Sequence, residues 1–241
     1  MGTAATGLRG LKSLLRGLVA MIYPDVCEVC GRALTSGEKL ICMHCVSEMP
    51  LTGFHKLAFS PIHQRLAPQP PIERTAALFH YYRDDPYARL LQTAKYGNRP
   101  TIGRYLGRML ASKLIPENFF EGIDMIVPVP IHWTKRMLRG YNQTEWIARG
   151  VSEVAGLPVI RALYTSRRHQ SQTRKGIEAR ARNTAGIYRV RNVGDIKGHH
   201  ILLIDDIVTT GATLHECAKA IHKSSPDTRI SVMTIGATHL R

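Results

Sequence analysis

The sequence predicts an α/β protein: a parallel sheet flanked by helices in the larger part of the chain, with a small module in front that has no core of its own. Three observations lead there. From residue 75 onward, short apolar runs alternate with stretches of helical periodicity, as they do where strands and crossover helices build a parallel sheet. Ile201, Leu202, Leu203 and Ile204 form an unbroken apolar run ending in two carboxylates, the pattern of a strand covered on both faces. Four of the five cysteines crowd into residues 27–45, a stretch with few large apolar side chains.

Composition narrows the functional classes. The formal net charge of +15 over 241 residues favours anionic partners such as nucleotides, nucleic acid or an acidic membrane face. No apolar run approaches the roughly 20 residues a membrane-spanning helix needs. Near the N-terminus, Leu8, Leu11, Leu15, Leu18 and Ile22 recur at helical spacing, so residues 1–22 are expected to form an amphipathic helix. Its basic residues are interleaved with the apolar ones rather than preceding them, which argues against a secretory signal. A cytoplasmic protein is expected.

The cysteines follow the pattern Cys27-x2-Cys30-x11-Cys42-x2-Cys45, two paired thiolate hooks joined by a short loop. That spacing suits tetrahedral zinc, and four sulfur ligands leave no open position, so a structural role is expected for residues 23–50. Disulfides are the competing reading, which a reducing compartment disfavours. His44, inside the second hook, is a bystander in this scheme. Cys217 is expected as a small buried helix residue.

Residues 51–74, with Pro61, Pro68, Pro70 and Pro71, are expected to be a linker, and residues 75–241 the α/β domain. The domain opens with a strand at 75–82. A helix follows at 84–96, with Asp84 as N-cap, Pro86 in its first turn and Leu90, Leu91 and Ala94 on its apolar face. Ile102, Leu106, Met109, Leu110 and Leu114 predict a second helix at 101–115. Residues 124–130 form a short strand, 142–155 a helix, and 158–164, 186–190, 199–205 and 229–235 further strands. A last helix spans 210–222, and the polar, basic stretch 167–182 is expected to be a loop.

Two places in this scheme suit a sugar phosphate. At the carboxyl end of the strand 199–205, Asp205 and Asp206 stand where open sheets bind ligands and can accept hydrogen bonds from sugar hydroxyls. Thr209, Thr210, Gly211, Ala212 and Thr213 then lead into a helix, whose free N–H groups and dipole attract a phosphate. Earlier, the strand ending in Val127, Pro128, Val129 and Pro130 runs into a loop bearing Lys135, Arg136 and Arg139, cations suited to a pyrophosphate or to a solvated basic face. Lys95, at a helix end, is a candidate for an anionic contact or an ordinary surface lysine.

The stretch Asp205-Asp206 followed by Thr209-Thr210-Gly211-x-Thr213 resembles the signature of type I phosphoribosyltransferases, which bind phosphoribosyl pyrophosphate (PRPP). Joined to a four-cysteine module, a Val-Pro-Val-Pro loop and the run Arg139-Gly140-Tyr141-Asn142-Gln143, it is similar in order and kind to the ComF family, bacterial proteins associated with DNA uptake. The resemblance implies a type I phosphoribosyltransferase-like sheet. It implies Asp205 and Asp206 on the ribose, Thr209, Thr210, Gly211, Ala212 and Thr213 on the 5′-phosphate, and Pro130, Lys135 and Arg136 on the pyrophosphate. It implies Mg²⁺ travelling with PRPP, or with a related sugar phosphate. Arg139, Asn142, Gln143, Arg174, Lys175, Arg180 and Arg182 are candidates for a loop that closes over the site or for contact with a nucleic acid. Two activities stay open: transfer of a ribosyl phosphate to an unknown acceptor, and handling of single-stranded DNA without turnover, either in association with the DNA-uptake machinery.

Overall fold

The computed structural model describes residues 25–67, 70–166 and 186–239. The helix expected over 1–22, Pro68, and Arg174, Lys175, Arg180 and Arg182 lie outside the described residues, as does the side chain of Lys135. The chain divides into two compact units, Met1–Met49 and Pro50–Arg241.

In the first unit, two tight turns bring the cysteine hooks together. Gly31 N–H donates to the Cys27 carbonyl (2.8 Å), and a bridge pairs Val26 with Ala33. The second hook is the start of a one-turn helix, α1 (Met43–Ser47), with Cys42 as its N-cap. Glu38 braces the loop between the hooks: it accepts from the amides of Thr35 (2.8 Å) and Met43 (2.7 Å) and from the Arg32 guanidinium (2.6 Å). Those two amides first, with Arg32 assisting, hold its carboxyl at about 2.

The second unit is built on β1 (Thr75–Tyr81), β2 (Met125–Pro128), β3 (Leu163–Thr165), β4 (Tyr188–Val190), β5 (His200–Val208) and β6 (Arg229–Thr238). Four of these form one parallel sheet in the order β1–β6–β5–β2; β3 and β4 make a separate antiparallel ribbon. The register sets Val127 beside Leu203, Leu203 beside Val232, and Asp205 beside Thr234. β5 runs three residues further than its apolar pattern predicts, because Ile207 and Val208 still pair with Gly236 and Ala237. The two carboxylates therefore sit inside the last turns of a paired strand, on a rigid element.

Helices cover both faces: α2 (Pro61–Leu66), α3 (Pro86–Tyr96), α4 (Pro100–Leu114), α5 (Trp133–Arg139), α6 (Gln143–Ala155) and α7 (Ala212–Ser224). On one face Met125, Val127, Ile201, Leu203, Ile230 and Val232 pack with Ile62 and Leu66 of α2, Leu214, Cys217 and Ile221 of α7, and Leu163 and Tyr188 of the ribbon. Cys217 is fully buried there, and burial pushes its thiol well above the ordinary range, out of reach of thiolate chemistry. By strand alternation Ile126, Leu202 and Ile204 serve the other face, where α6 contacts β2 and β5.

Two expectations change. The N-cap of α3 is Asp85, whose Oδ1 accepts from Tyr87 N–H (2.7 Å), rather than Asp84. Pro86 takes the first helical position, where its missing N–H costs nothing, and that puts the cap one residue before it. The described residues of 51–74 include packed ones rather than a free linker: Phe54, Ile62 and Leu66 are core residues, and α2 starts with a full capping box between Ser60 and His63. Pro61 marks the first turn of that helix, not a loop.

The helices α4 and α6 cross at glycines. A Cβ on Gly150 would lie 2.0 Å from the Arg104 carbonyl oxygen, and one on Gly107 would lie 2.3 Å from that of Ile147. Gly103 is easier, its nearest neighbour being the flexible Ile147 side chain at 3.3 Å. Gly150→Ala should therefore cost about 3 kcal/mol, the upper end for overpacking, and lower Tm by roughly 6–12 °C. Gly103→Ala should cost under about 1 kcal/mol. Thermal melts of the two variants check this; equal melting temperatures would refute the close crossing.

Candidate functional site

The carboxyl ends of β2, β5 and β6 open into a cleft of about 750 Å³. Its walls include Asp205, Asp206, Thr209, Thr210, Ala212 and Thr213 from the β5–α7 segment, 130–132 from the loop after β2, and Tyr188 from the ribbon. Lys95 and Tyr96 from the end of α3 and Arg139 and Gln143 from the α5–α6 junction complete it.

Adjacent strand residues point to opposite faces, so the two acids straddle the end of the sheet. Asp206, only 7% exposed, faces α3 and α6: its Oδ2 accepts from Lys95 Nζ (2.8 Å) and Gln143 Nε2 (2.8 Å). Asp205 is half-buried, and its Oδ1 accepts from the Asp206 N–H (2.8 Å). On its side lies Tyr188. Burial, with the charge of Asp205 nearby, pushes that phenol above its ordinary range, so it stays a protonated partner for the Thr213 hydroxyl.

The Arg139-Gly140-Tyr141-Asn142-Gln143 run has a local logic. Arg139 ends α5, and Gly140 reverses the chain in the left-handed conformation (φ +75°) that a side chain resists. Asn142 caps α6 through Thr144 N–H (3.2 Å). Its Nδ2 and the Thr144 hydroxyl both donate to the Val129 carbonyl, at 3.0 and 2.6 Å, which ties α6 to the end of β2. Gln143 then opens the helix beside the cleft. Its Oε1 accepts from Arg139 Nη1 (3.2 Å) while Nε2 donates to Asp206, so both bonds agree on the amide's orientation. Arg139 also reaches the Tyr96 hydroxyl (3.1 Å) and lies 4.7 Å above its ring.

These positions revise the expectation for Asn142 and Gln143. Buried at 4% and 5% exposure, with their donors bonded inside the protein, they hold the site together rather than meet a nucleic acid strand. Arg136 is exposed and off the cleft wall, because α5 begins at Trp133 and its helical turn carries the residue away from the loop that does line it. Lys95 meets an anion, but that anion is the protein's own Asp206.

The phosphate side is a helix N-terminus without a side-chain cap. Gly211 is the N-cap of α7, at φ +80°, and offers no side chain to the first-turn amides. A Cβ there would also stand 3.1 Å from Arg65 Cβ and 3.2 Å from the Arg65 carbonyl oxygen, so glycine is favoured both by the backbone conformation and by the tight approach. Thr209 and Thr210 on the turn are exposed.

In the first unit the sulfur atoms of Cys27, Cys30, Cys42 and Cys45 lie within 4.8 Å of one another, and none is in a disulfide. The backbone supports them: Cys42 N–H donates to Cys27 Sγ (3.3 Å) and Cys45 N–H to Cys42 Sγ (3.4 Å). Burial raises the Cys42 thiol, but the Cys45 amide and the Arg32 guanidinium draw it down to about 6. Four such donors fit a structural metal ion.

Comparison with known proteins points the same way. A phosphoribosyl transferase domain family matches residues 145–239, from α6 to the end of β6. The DNA utilization protein YhgH of Escherichia coli K12 is 28% identical over 220 residues, covering 88% of this chain and 90% of that one. Competence protein F of Haemophilus influenzae is 25% identical over 214 residues, covering 86% and 89%. Competence protein ComFC of Bacillus subtilis is 29% identical over 124 residues, covering 52% and 47%. Together with the cysteine cluster, the parallel sheet and the acid pair, this similarity supports identification with the ComF family of phosphoribosyltransferase-like proteins.

Proposed function

We propose that the cleft binds PRPP and that the protein transfers its ribosyl phosphate to an acceptor, in the cytoplasm and in connection with DNA uptake. One observation carries this reading: an acid pair, Asp205 half-buried and Asp206 buried, and a helix N-terminus whose cap residue is glycine share the walls of one cleft. Asp205 and Asp206 accept from the ribose hydroxyls, and the turn 209–213 takes the 5′-phosphate. The loop 130–132 faces the pyrophosphate, with Arg139 contributing positive charge nearby. In the reaction the bond from C1 to pyrophosphate breaks with its electron pair leaving on the pyrophosphate, and a nitrogen nucleophile forms the new bond to C1. The acid pair favours the positive charge that C1 acquires in between.

Mg²⁺, bound together with PRPP, would neutralise the leaving pyrophosphate. The cleft supplies two adjacent carboxylates, a donor set that suits Mg²⁺ sharing its shell with ligand oxygens. For the cysteine module we infer zinc. Bonds of about 2.3 Å in a tetrahedron place sulfurs about 3.8 Å apart, and Cys30 and Cys42 are 3.8 Å apart.

The charge of +15 and the cations Arg83 and Arg139 on the cleft wall favour a second reading, in which the same fold handles single-stranded DNA without turnover. Calorimetry with PRPP and Mg²⁺, followed by incubation with a panel of bases and oligonucleotides scored for pyrophosphate release, separates the two. Release supports transfer. Binding of PRPP without release supports the second reading, and no binding of PRPP removes the first.

A further inference from the structure

The helix α2 lies in the stretch whose prolines suggest a linker, yet it touches the phosphate turn on three sides. Arg65 Nη1 donates to the Val208 carbonyl (3.0 Å), and Nη2 donates to the Thr238 carbonyl. Val208 ends β5 and Thr238 ends β6, so one guanidinium ties together two of the strands from which the cleft opens. Arg65 packs against Gly211, where an added Cβ would stand 3.1 Å from Arg65 Cβ and 3.2 Å from the Arg65 carbonyl oxygen. Just beyond, His215 Nδ1 on α7 lies 3.3 Å from the Leu66 carbonyl oxygen. These contacts fall directly before the turn, on it, and within the first turn of the helix after it.

The helix is itself well anchored. Ile62 and Leu66 are buried in the core with Leu214 and Cys217, and Ser60 at its start bonds to Thr75 on β1. Arg65 is half-buried, and no carboxylate among the described residues lies within ion-pair distance of it. Two of its donors go to backbone carbonyls on different strands, a use for which a planar fork is suited and a single ammonium is not.

We propose that Arg65 is a positioning residue for the phosphate cradle: its fork fixes the exit of β5 and thereby the path of the turn 209–211. The proposal rests on reading that turn as the 5′-phosphate site. Thr209 and Thr210 are exposed, and a long bond from the Ala212 N–H to the Thr210 hydroxyl (3.4 Å) is the side-chain contact within the turn among the described residues. With Arg65 in place the turn is set before the ligand arrives; without it, binding must also order the turn.

The test is calorimetric titration of the full chain with ribose 5-phosphate and, separately, with Mg²⁺–pyrophosphate, in the wild type, Arg65→Met and Arg65→Lys. Both variants should bind ribose 5-phosphate about tenfold more weakly, the cost of ordering roughly one residue on binding. Their affinity for pyrophosphate, which engages the loop 130–132 instead, should be unchanged. Arg65→Lys keeps the charge and the aliphatic stem, so it stays folded if the Met variant does not, and it still cannot span two carbonyls. Wild-type affinity for ribose 5-phosphate in a folded Arg65→Lys protein would overturn the proposal, as would equal losses for both ligands, which would mean a general loosening. A wild-type protein that binds pyrophosphate but not ribose 5-phosphate would overturn the cradle itself, and Arg65's role with it.

Discussion

Replacing Asp205 and Asp206 together with asparagine should abolish measurable PRPP binding while leaving the fold intact. Each acid is assigned a charged hydrogen bond to a ribose hydroxyl, worth about 1.5–3 kcal/mol. Losing both costs about 3–6 kcal/mol, or roughly two to four orders of magnitude in affinity. The single variants should differ in a way that only the tertiary contacts explain. Asp206→Asn also strips Lys95 of its counter-ion and weakens the acceptor for Gln143, so it should lower Tm as well as affinity. Asp205→Asn leaves that network untouched and should act mainly on affinity. Pyrophosphate binding should survive in both, because removing negative charge makes the cleft more attractive to an anion. Calorimetry with PRPP and with pyrophosphate checks each part. Wild-type PRPP affinity in the double variant would refute ribose binding by this acid pair.

Loss of metal from the cysteine module should unfold it and spare the cleft. Among the described residues of that unit, burial falls on Cys27, Ile41, Cys42, Cys45 and Met49, so the thiols are themselves most of the interior. Nothing of that size folds on two apolar side chains. The binding free energy of a structural zinc, on the order of 10 kcal/mol, then amounts to the module's folding free energy. Cys27→Ser with Cys42→Ser should release the metal, expose residues 25–49 to protease, and leave PRPP affinity unchanged, because the residues assigned to PRPP belong to Pro50–Arg241. Elemental analysis with limited proteolysis decides it. Stoichiometric zinc in the double variant, or protection equal to wild type, would show that the cysteines are not the metal's ligands.

Local signals were legible where the chemistry is contiguous in sequence. The cysteine hooks and the run from Ile201 to Thr213 each carry their meaning within fewer than about twenty residues, because paired hooks, or a strand end, a turn and a helix start, are sequential by construction. The 51–74 stretch misled because proline is ambiguous: it opens helices as readily as it breaks them, and here Ser60 and His63 supply the cap that decides between the two. Arg136 misled for a related reason. A cation count near a loop says nothing of the helical phase that turns one side chain toward a cleft and another toward solvent.

By itself, the sequence determined the parallel α/β class, the cysteine cluster, and the proximity of paired acids to a phosphate-type turn, since each depends on residues close together in the chain. Only the tertiary structure decided which partners hold the acids. Gln143 stands 63 residues from Asp206, and Arg65 stands 143 residues from Val208. Contacts at that range leave no periodicity or spacing to read. They arise when parallel strands, brought side by side by crossover helices, gather distant segments at their carboxyl ends.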